Sequence, residues 1–208
     1  MTNKPETVRA DEIFENDMDG LVYKKNSQKP FTGMSITERI TDNLFDLYTV
    51  INRENYKHGR PDGLFEYYYE NGQIRFRRNY KNGKENGFHE EFHKDGSLWI
   101  RENYKNGKLH GVFLQFYSNF HIKHIHNYKH GNMDGLQETF WDKDYLLCER
   151  SFFKNGKFHG PYQLFYENGQ LEEEGNNKND KPHGICRYFD EEGNLTKTET
   201  WENGELTV

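Results

Sequence analysis

The sequence predicts an all-β fold, an elongated array of antiparallel β-hairpins built on a repeat of about 24 residues, and three observations carry that prediction. The first is spacing. A turn position falls at Gly59, Gly83, Gly107, Gly131, Gly156, Asp180 and Gly204, a second at Gly72, Gly96, Phe120, Asp144, Gly169 and Gly193, and a third glycine follows the first by four at Gly63, Gly87, Gly111, Gly135, Gly160 and Gly184. Self-similarity at a fixed period marks a repeat architecture, here of about seven units. The second is turn chemistry. "KNG" at 81–83, "ENG" at 70–72 and 167–169 and "KDG" at 94–96 separate alternating runs, and Asn-Gly or Asp-Gly supplies the two left-handed residues of a type I′ hairpin turn. The third is composition. Only 33% of residues are hydrophobic while 16% are aromatic, which suits a thin sheet or a repeat stack better than a thick two-sided core.

Along the chain, residues 1–19 are acidic and polar and read as a loose N-terminal arm; residues 20–208 read as the repeat domain. Residues 20–54 form a degenerate first unit ending a glycine run at Gly33, with about six extra residues near "ITDNLFDLYTV". In the regular units an apolar pair follows the third glycine at +1 and +5, as in Leu64/Tyr68, Phe88/Phe92 and Val112/Phe116. An aliphatic follows the second turn at Ile74, Leu98, Ile122, Leu146, Leu171 and Leu195, and an aromatic comes six residues later at Tyr80, Tyr104, Tyr128 and Trp201. Even offsets place all of these on one strand face. Each glycine at +4, Gly111 among them, is expected to let an aromatic ring approach closely. One extra residue lies within 145–152, and "WENGELTV" starts a further unit.

The repeated "YKNGKxxGxxxxFYxNGxL" resembles the MORN repeat, and more closely the YwqK-type antitoxin family of MORN-variant repeat proteins; the opening "GLVYKKNSQKPFTG" is similar to the start of those proteins. The resemblance covers roughly residues 20–208. It implies a MORN-like, single-layer twisted sheet of hairpins and a protein that neutralises a toxin by binding it.

Composition and motif content exclude several functions. No nucleophile elbow, phosphate loop, zinc spacing or dinucleotide fingerprint occurs, so no catalytic residue, metal or cofactor is assigned and the chain is not read as an enzyme. The net charge of −6, with no basic run, argues against nucleic acid as a partner. The two cysteines, Cys148 and Cys186, read as small apolar residues in a reducing compartment. With no apolar leader and no membrane-length apolar stretch, the chain reads as soluble and cytoplasmic, and a membrane is not the expected partner. Glu66, Glu90 and Glu138 share one register position and read as a solvated row, so Glu90→Ala is expected to change stability little. In "HIKHIH" (His121–His126), His124 and His126 share a face with Ile122, too few imidazoles for a metal site; His58, His110, His130, His159 and His183 flank turn glycines.

The candidate site lies where the repeat fails. The second-turn glycine is lost in two adjacent units, "YSNFH" (117–121) and "WDKDY" (141–145), each turn being flanked by large rings. Leu114 stands where other units carry a polar residue. Trp99, Phe113, Tyr117, Phe120, Ile125, Trp141 and Tyr145 are therefore the expected protein-contact residues, since aromatic clusters anchor interfaces. The resemblance implies an antitoxin or immunity protein, and the acidic balance favours a basic toxin through complementary potential. A structural scaffold or membrane-associated MORN-type adaptor stays open as the alternative.

Overall fold

A computed structural model describes residues 6–40 and 48–207, with the side chains of residues 40, 48 and 49 left aside. Among them strands and the turns that join them make up the chain, with one short 3-10 turn at Ala10–Glu12 and no α-helix. It divides into two units, residues 1–108 and 109–208. In the first, strand Gly33–Ile40 pairs in turn with Tyr48–Lys57, Gly63–Tyr68, Ile74–Lys81, Lys84–Phe92 and Leu98–Lys105, each step antiparallel. The second repeats the pattern from Gly111–Phe116 to Leu195–Glu202. The six extra residues expected near "ITDNLFDLYTV" fall largely on 41–47, outside the described residues.

The N-terminal stretch is not loose where it is described. Glu6–Arg9 pairs in parallel with Gly33–Ile40, and Val8 is buried with Val22 and Phe31 against Ile13 and Tyr56. The single apolar residue of "ETVR" that faces the sheet closes the first-unit core, which composition alone conceals.

The two turns of each repeat differ. At the first, both central residues are left-handed, as at Asn82 (φ 50°) and Gly83 (φ 80°), the expected type I′ geometry. At the second only one is. Gly72 (φ 82°) closes a three-residue loop in which Tyr69 N donates to Gln73 O (2.8 Å) and Gly72 N to Tyr69 O (2.9 Å), so "ENG" and "KDG" do not form the expected type I′ turn. The third glycine is also left-handed, with φ of 110° at Gly87 and 99° at Gly111. It faces the aromatic across the strand pair, Gly87 opposite Tyr104 and Gly111 opposite Tyr128. A Cβ on Gly87 would meet the Cβ of Asn79 at 3.3 Å, so the need there is backbone conformation and not room for a ring.

A bulge recurs in every hairpin. Tyr67 pairs with Phe76 and Tyr68 with Ile74, which leaves Arg75 as the extra residue. Ile51, Trp99, Lys123, Cys148, Glu172 and Thr196 are its equivalents. An extra residue shifts the alternation by one, so Ile74 shares a face with Leu64 and Tyr68 while Tyr80 lies on the other, with Phe65. The expectation of one common apolar face is corrected accordingly. The most enclosed row is at +2 from the third glycine, with Phe65, His89, Gln137 and Cys186 all buried, whereas Phe88, Val112 and Ile185 at +1 are exposed.

The enclosed face is aromatic and hydrogen-bonded. Tyr56, Phe65 and Tyr80 pack in sequence as tilted ring pairs with centroids 5.4 and 4.7 Å apart, and Glu54 accepts hydrogen bonds from Tyr56 Oη (2.7 Å) and Tyr67 Oη. Glu102 accepts from Tyr104 Oη (2.8 Å) and lies 3.1 Å from His89 Nδ1. Burial raises the Glu102 pKa, but the His89 and Tyr104 hydrogen bonds outweigh it and hold the carboxyl below its usual range. Glu199 plays the same part for Tyr188 (2.9 Å).

The opposite face carries a charge ladder. Arg53, Glu66, Arg77, Glu90 and Arg101 are cross-strand neighbours in that order. Glu90 is only 5% exposed, salt-bridged to Arg77 and at 2.7 Å to Arg101. Burial pushes its pKa up, yet the two guanidiniums prevail and lower it. It is a buried, doubly paired carboxylate and not part of a solvated row.

Candidate partner-binding surface

The second-turn edge of the 109–208 unit is built from the loops at 117–121 and 141–146. In the first loop Tyr117 N donates to His121 O (2.8 Å), the same closure as at Tyr69; in the second Trp141 N reaches Leu146 O (2.8 Å), one residue further along the chain. The single inserted residue therefore lies in the loop 141–146. Leu147, not Leu146, takes the aliphatic register position opposite Phe140, and Tyr145, not Asp144, takes the glycine position.

Both substituted residues keep the glycine's backbone. Phe120 has φ 69° and Tyr145 φ 57°, beside 82°–87° at Gly72, Gly96, Gly169 and Gly193. A left-handed backbone under a large aromatic side chain is an outlier that costs on the order of 1–2 kcal/mol. The two loops also touch: His121 and Tyr145 stack with ring centroids 3.3 Å apart, and Asn119 Nδ2 donates to Tyr145 Oη (3.1 Å). Phe120 remains 70% exposed, Tyr145 38% and Leu146 39%.

The seven expected contact residues separate into three groups. Phe120 and Tyr145, with Trp141 half-buried beside them, share this edge. Tyr117 is also there but has an internal role, its hydroxyl donating to Phe140 O (2.8 Å). Phe113 and Ile125 lie elsewhere: Phe113 is half-buried on the enclosed face, stacked on His126 at 5.6 Å, and Ile125 is on the ladder face opposite Leu114. Leu114 and Ile125 face each other where an ion pair stands in the first unit, so their apolar character is a complementary cross-strand pair. Trp99 belongs to the 1–108 unit, at the bulge position, partly exposed beside His93 (5.7 Å).

Sequence reading missed Leu146, because the insertion was placed too late in the chain, and it missed the bulge row altogether. That row carries Ile51, Arg75, Trp99, Lys123, Cys148, Glu172 and Thr196, seven residue types at one register position. The row before it (Ile74, Leu98, Ile122, Leu147, Leu171, Leu195) stays aliphatic and pairs with an aromatic row from Tyr68 to Phe189, whereas the bulge row keeps no residue type.

His124 and His126 lie on the enclosed face, their rings 5.0 Å apart, with His124 Nδ1 3.0 Å from Thr139 Oγ1; the bulge at Lys123 puts Ile122 on the other face, contrary to expectation. Burial, then the neighbouring His126 and Lys123, push the His124 pKa down to about 4, and burial lowers that of His126 against a partial rise from Glu149. Among the described residues no group of three or more His, Cys, Asp or Glu is placed to hold a metal ion, and no helix is long and apolar enough to cross a membrane.

Strand pairing and the two-turn repeat define a β-hairpin repeat protein. The MORN repeat variant matches residues 61–82, 86–106, 158–179 and 182–203, so these four segments are similar to MORN-variant repeats. The interval 107–157, between the second and third matches, contains both altered loops. No curated protein matches the chain. MORN repeats occur in protein-binding proteins, and the family is typically non-catalytic.

Proposed function

We propose that this protein is a non-catalytic binding module that neutralises a cognate toxin by direct contact, with the edge formed by residues 117–121 and 141–146 as its contact surface. The carrying observation is the pair Phe120 and Tyr145. Both hold a backbone that favours glycine, glycine stands there in the four other regular units, and Phe120 projects into solvent. Backbone strain under an exposed ring does not serve the fold, and strain of this kind collects at binding and switch sites. The antitoxin reading draws on the resemblance of "YKNGKxxGxxxxFYxNGxL" to YwqK-type proteins, and the net charge of −6 favours a basic toxin.

The test is a Phe120→Gly/Tyr145→Gly variant. It relieves the left-handed strain and should melt no lower than the parent, gaining up to about 1 kcal/mol in urea denaturation. It should nevertheless lose growth rescue when co-expressed with the product of the neighbouring reading frame, together with most of its calorimetric affinity for that product. Rescue equal to the parent's by a folded variant would overturn the reading. Absence of rescue by the parent, with binding to anionic vesicles instead, would replace it by the scaffold or membrane-adaptor reading.

A further inference from the structure

Beside the altered loops, still within the 109–208 unit, a groove of about 560 Å³ runs along the same edge. Trp141, Phe165 and Tyr166 give it aromatic walls, and Asp144, Glu167, Glu172 and Glu191 give it four carboxylates against one cation, Lys143. None of those four carboxylates is in an ion pair among the described residues.

The 1–108 unit contains the register equivalent. There Tyr68, Tyr69 and Glu70 occupy the places of Phe165, Tyr166 and Glu167, but Arg75 stands for Glu172 and Lys94 for Glu191. In that groove Glu70 is already neutralised by Arg39 at 2.7 Å. One scaffold thus builds the same groove twice with opposite charge, and the acidic copy is the one adjoining Phe120 and Tyr145. Glu172 sits at the bulge, where the repeat imposes no residue type. Burial, followed by the negative field of Glu172, Glu191, Asp190 and Glu192, raises the Tyr166 pKa. Trp141 contributes an aromatic wall from the altered loop itself, which ties the groove to the 141–146 segment.

We propose that this groove seats an arginine side chain from a basic segment of the protein partner, the guanidinium lying against Trp141 and Tyr166 and facing Glu167, Glu172 and Glu191. Aromatic faces attract cations, carboxylates bind the planar guanidinium through paired hydrogen bonds, and arginine satisfies both at once, which lysine does less well. The inference rests on the reading of this edge as the partner surface and names the chemistry that the edge selects.

The experiment titrates the full chain with a blocked Arg-Gly-Arg-Gly-Arg peptide, and with its citrulline counterpart of the same shape without charge, by calorimetry at low and physiological salt. Saturable binding of the arginine peptide is expected, weakened at least about tenfold for citrulline and weakened by added salt. Glu172→Arg/Glu191→Lys, which installs the residues of the other groove at exposed positions, should leave the melt unchanged and lower arginine-peptide affinity at least about tenfold. Trp141→Ala, whose melt is recorded alongside, should weaken it as well without changing the charge. Affinity retained within about twofold in the charge-swapped variant, equal binding of citrulline, or no saturable binding would overturn the proposal. Growth rescue that still depends on Phe120 and Tyr145 in that event would show that the contact surface survives and only the arginine assignment fails.

Discussion

The ladder face is regular in the 1–108 unit and varied in the 109–208 unit. In the first, Arg53, Glu66, Arg77, Glu90 and Arg101 alternate without a break. In the second, Leu114 and Ile125 form an apolar pair, Glu138 and Arg150 return to an ion pair (2.8 Å), and Gln163 stands between Arg150 and Glu174. From there the polarity inverts, with Glu174 on the strand that elsewhere carries arginine and Arg187 (2.8 Å) on the strand that carries glutamate. Gln163 is the neutral joint where two opposite alternations meet. The difference teaches what the repeat requires at this row: not charge, but complementary neighbours across each strand pair. Once that is met, composition is free to change, and the unit that changed most also carries the strained aromatic loops.

Removing a doubly paired carboxylate should break this comparison most visibly. Glu90→Ala leaves Arg77 and Arg101 without their shared partner in a shielded position, and about 2 kcal/mol of stability should be lost in urea denaturation. Glu138→Ala, which has only Arg150 to lose, should cost about 1 kcal/mol. Equal costs for the two would show that the continuous ladder adds nothing over an isolated pair.

Gly111→Val probes a requirement that the two units share. With φ at 99°, a β-branched residue is strained whatever space surrounds it, and a loss of about 2 kcal/mol is expected. Gly72→Ala, in an open turn where a Cβ meets nothing within 4 Å, should cost less, about 1 kcal/mol. A Gly111→Val variant with the parent's denaturation midpoint would remove both the backbone and the ring-approach explanations.

The smallest effect separates the units by pH. In the first, His89 lies 3.1 Å from Glu102 and 3.3 Å from Glu91; in the second, His124 faces His126 and Lys123 without a carboxylate beside it. The folded His124 pKa is depressed to about 4, so the folded protein resists a proton that the unfolded chain accepts near 6.5. The stability linked to it is complete above about pH 6.5 and is lost as pH falls from there to about 4, on the order of 1 kcal/mol once solvent screening is discounted. His124→Gln, which retains a hydrogen-bonding side chain beside Thr139, should flatten the melting temperature across that window. Carboxylates such as Glu90, whose pKa is lowered, lose their contribution only at more acid pH, so the two effects are separable.

Much of the fold was legible because turns and glycines are local. A left-handed residue is readable wherever Asn-Gly recurs every 24 residues, and the strand order of a hairpin array follows from sequence order. The bulge was not legible. One unpaired residue after Ile74 and its equivalents leaves no mark in composition, yet it moves Tyr80 to the opposite face and brings Phe65, His89 and Gln137 to the enclosed one. The carboxylates at Glu66 and Glu90 share a register position that a linear reading takes for solvent, and only the flanking strands reveal arginines on both sides. Of the expected contact residues, the loss of the turn glycine pointed to Phe120, Trp141 and Tyr145, which share one edge. Phe113 and Ile125 lie elsewhere, with internal partners in His126 and Leu114.

By itself the sequence determined the all-β class, the period, the hairpin turns and the two loops that depart from them, since each depends on the conformational preference of a few neighbouring residues. Tertiary structure alone decided which face is enclosed, which charges are paired, and that Tyr145, not Asp144, takes the glycine position and meets the 117–121 loop. It also decided that Glu172 and Glu191 line the wall where Arg75 and Lys94 stand in the other groove. Those outcomes depend on register between neighbouring strands, as where Arg77 and Arg101 both face Glu90, and a single bulge or insertion resets them while leaving every local preference intact.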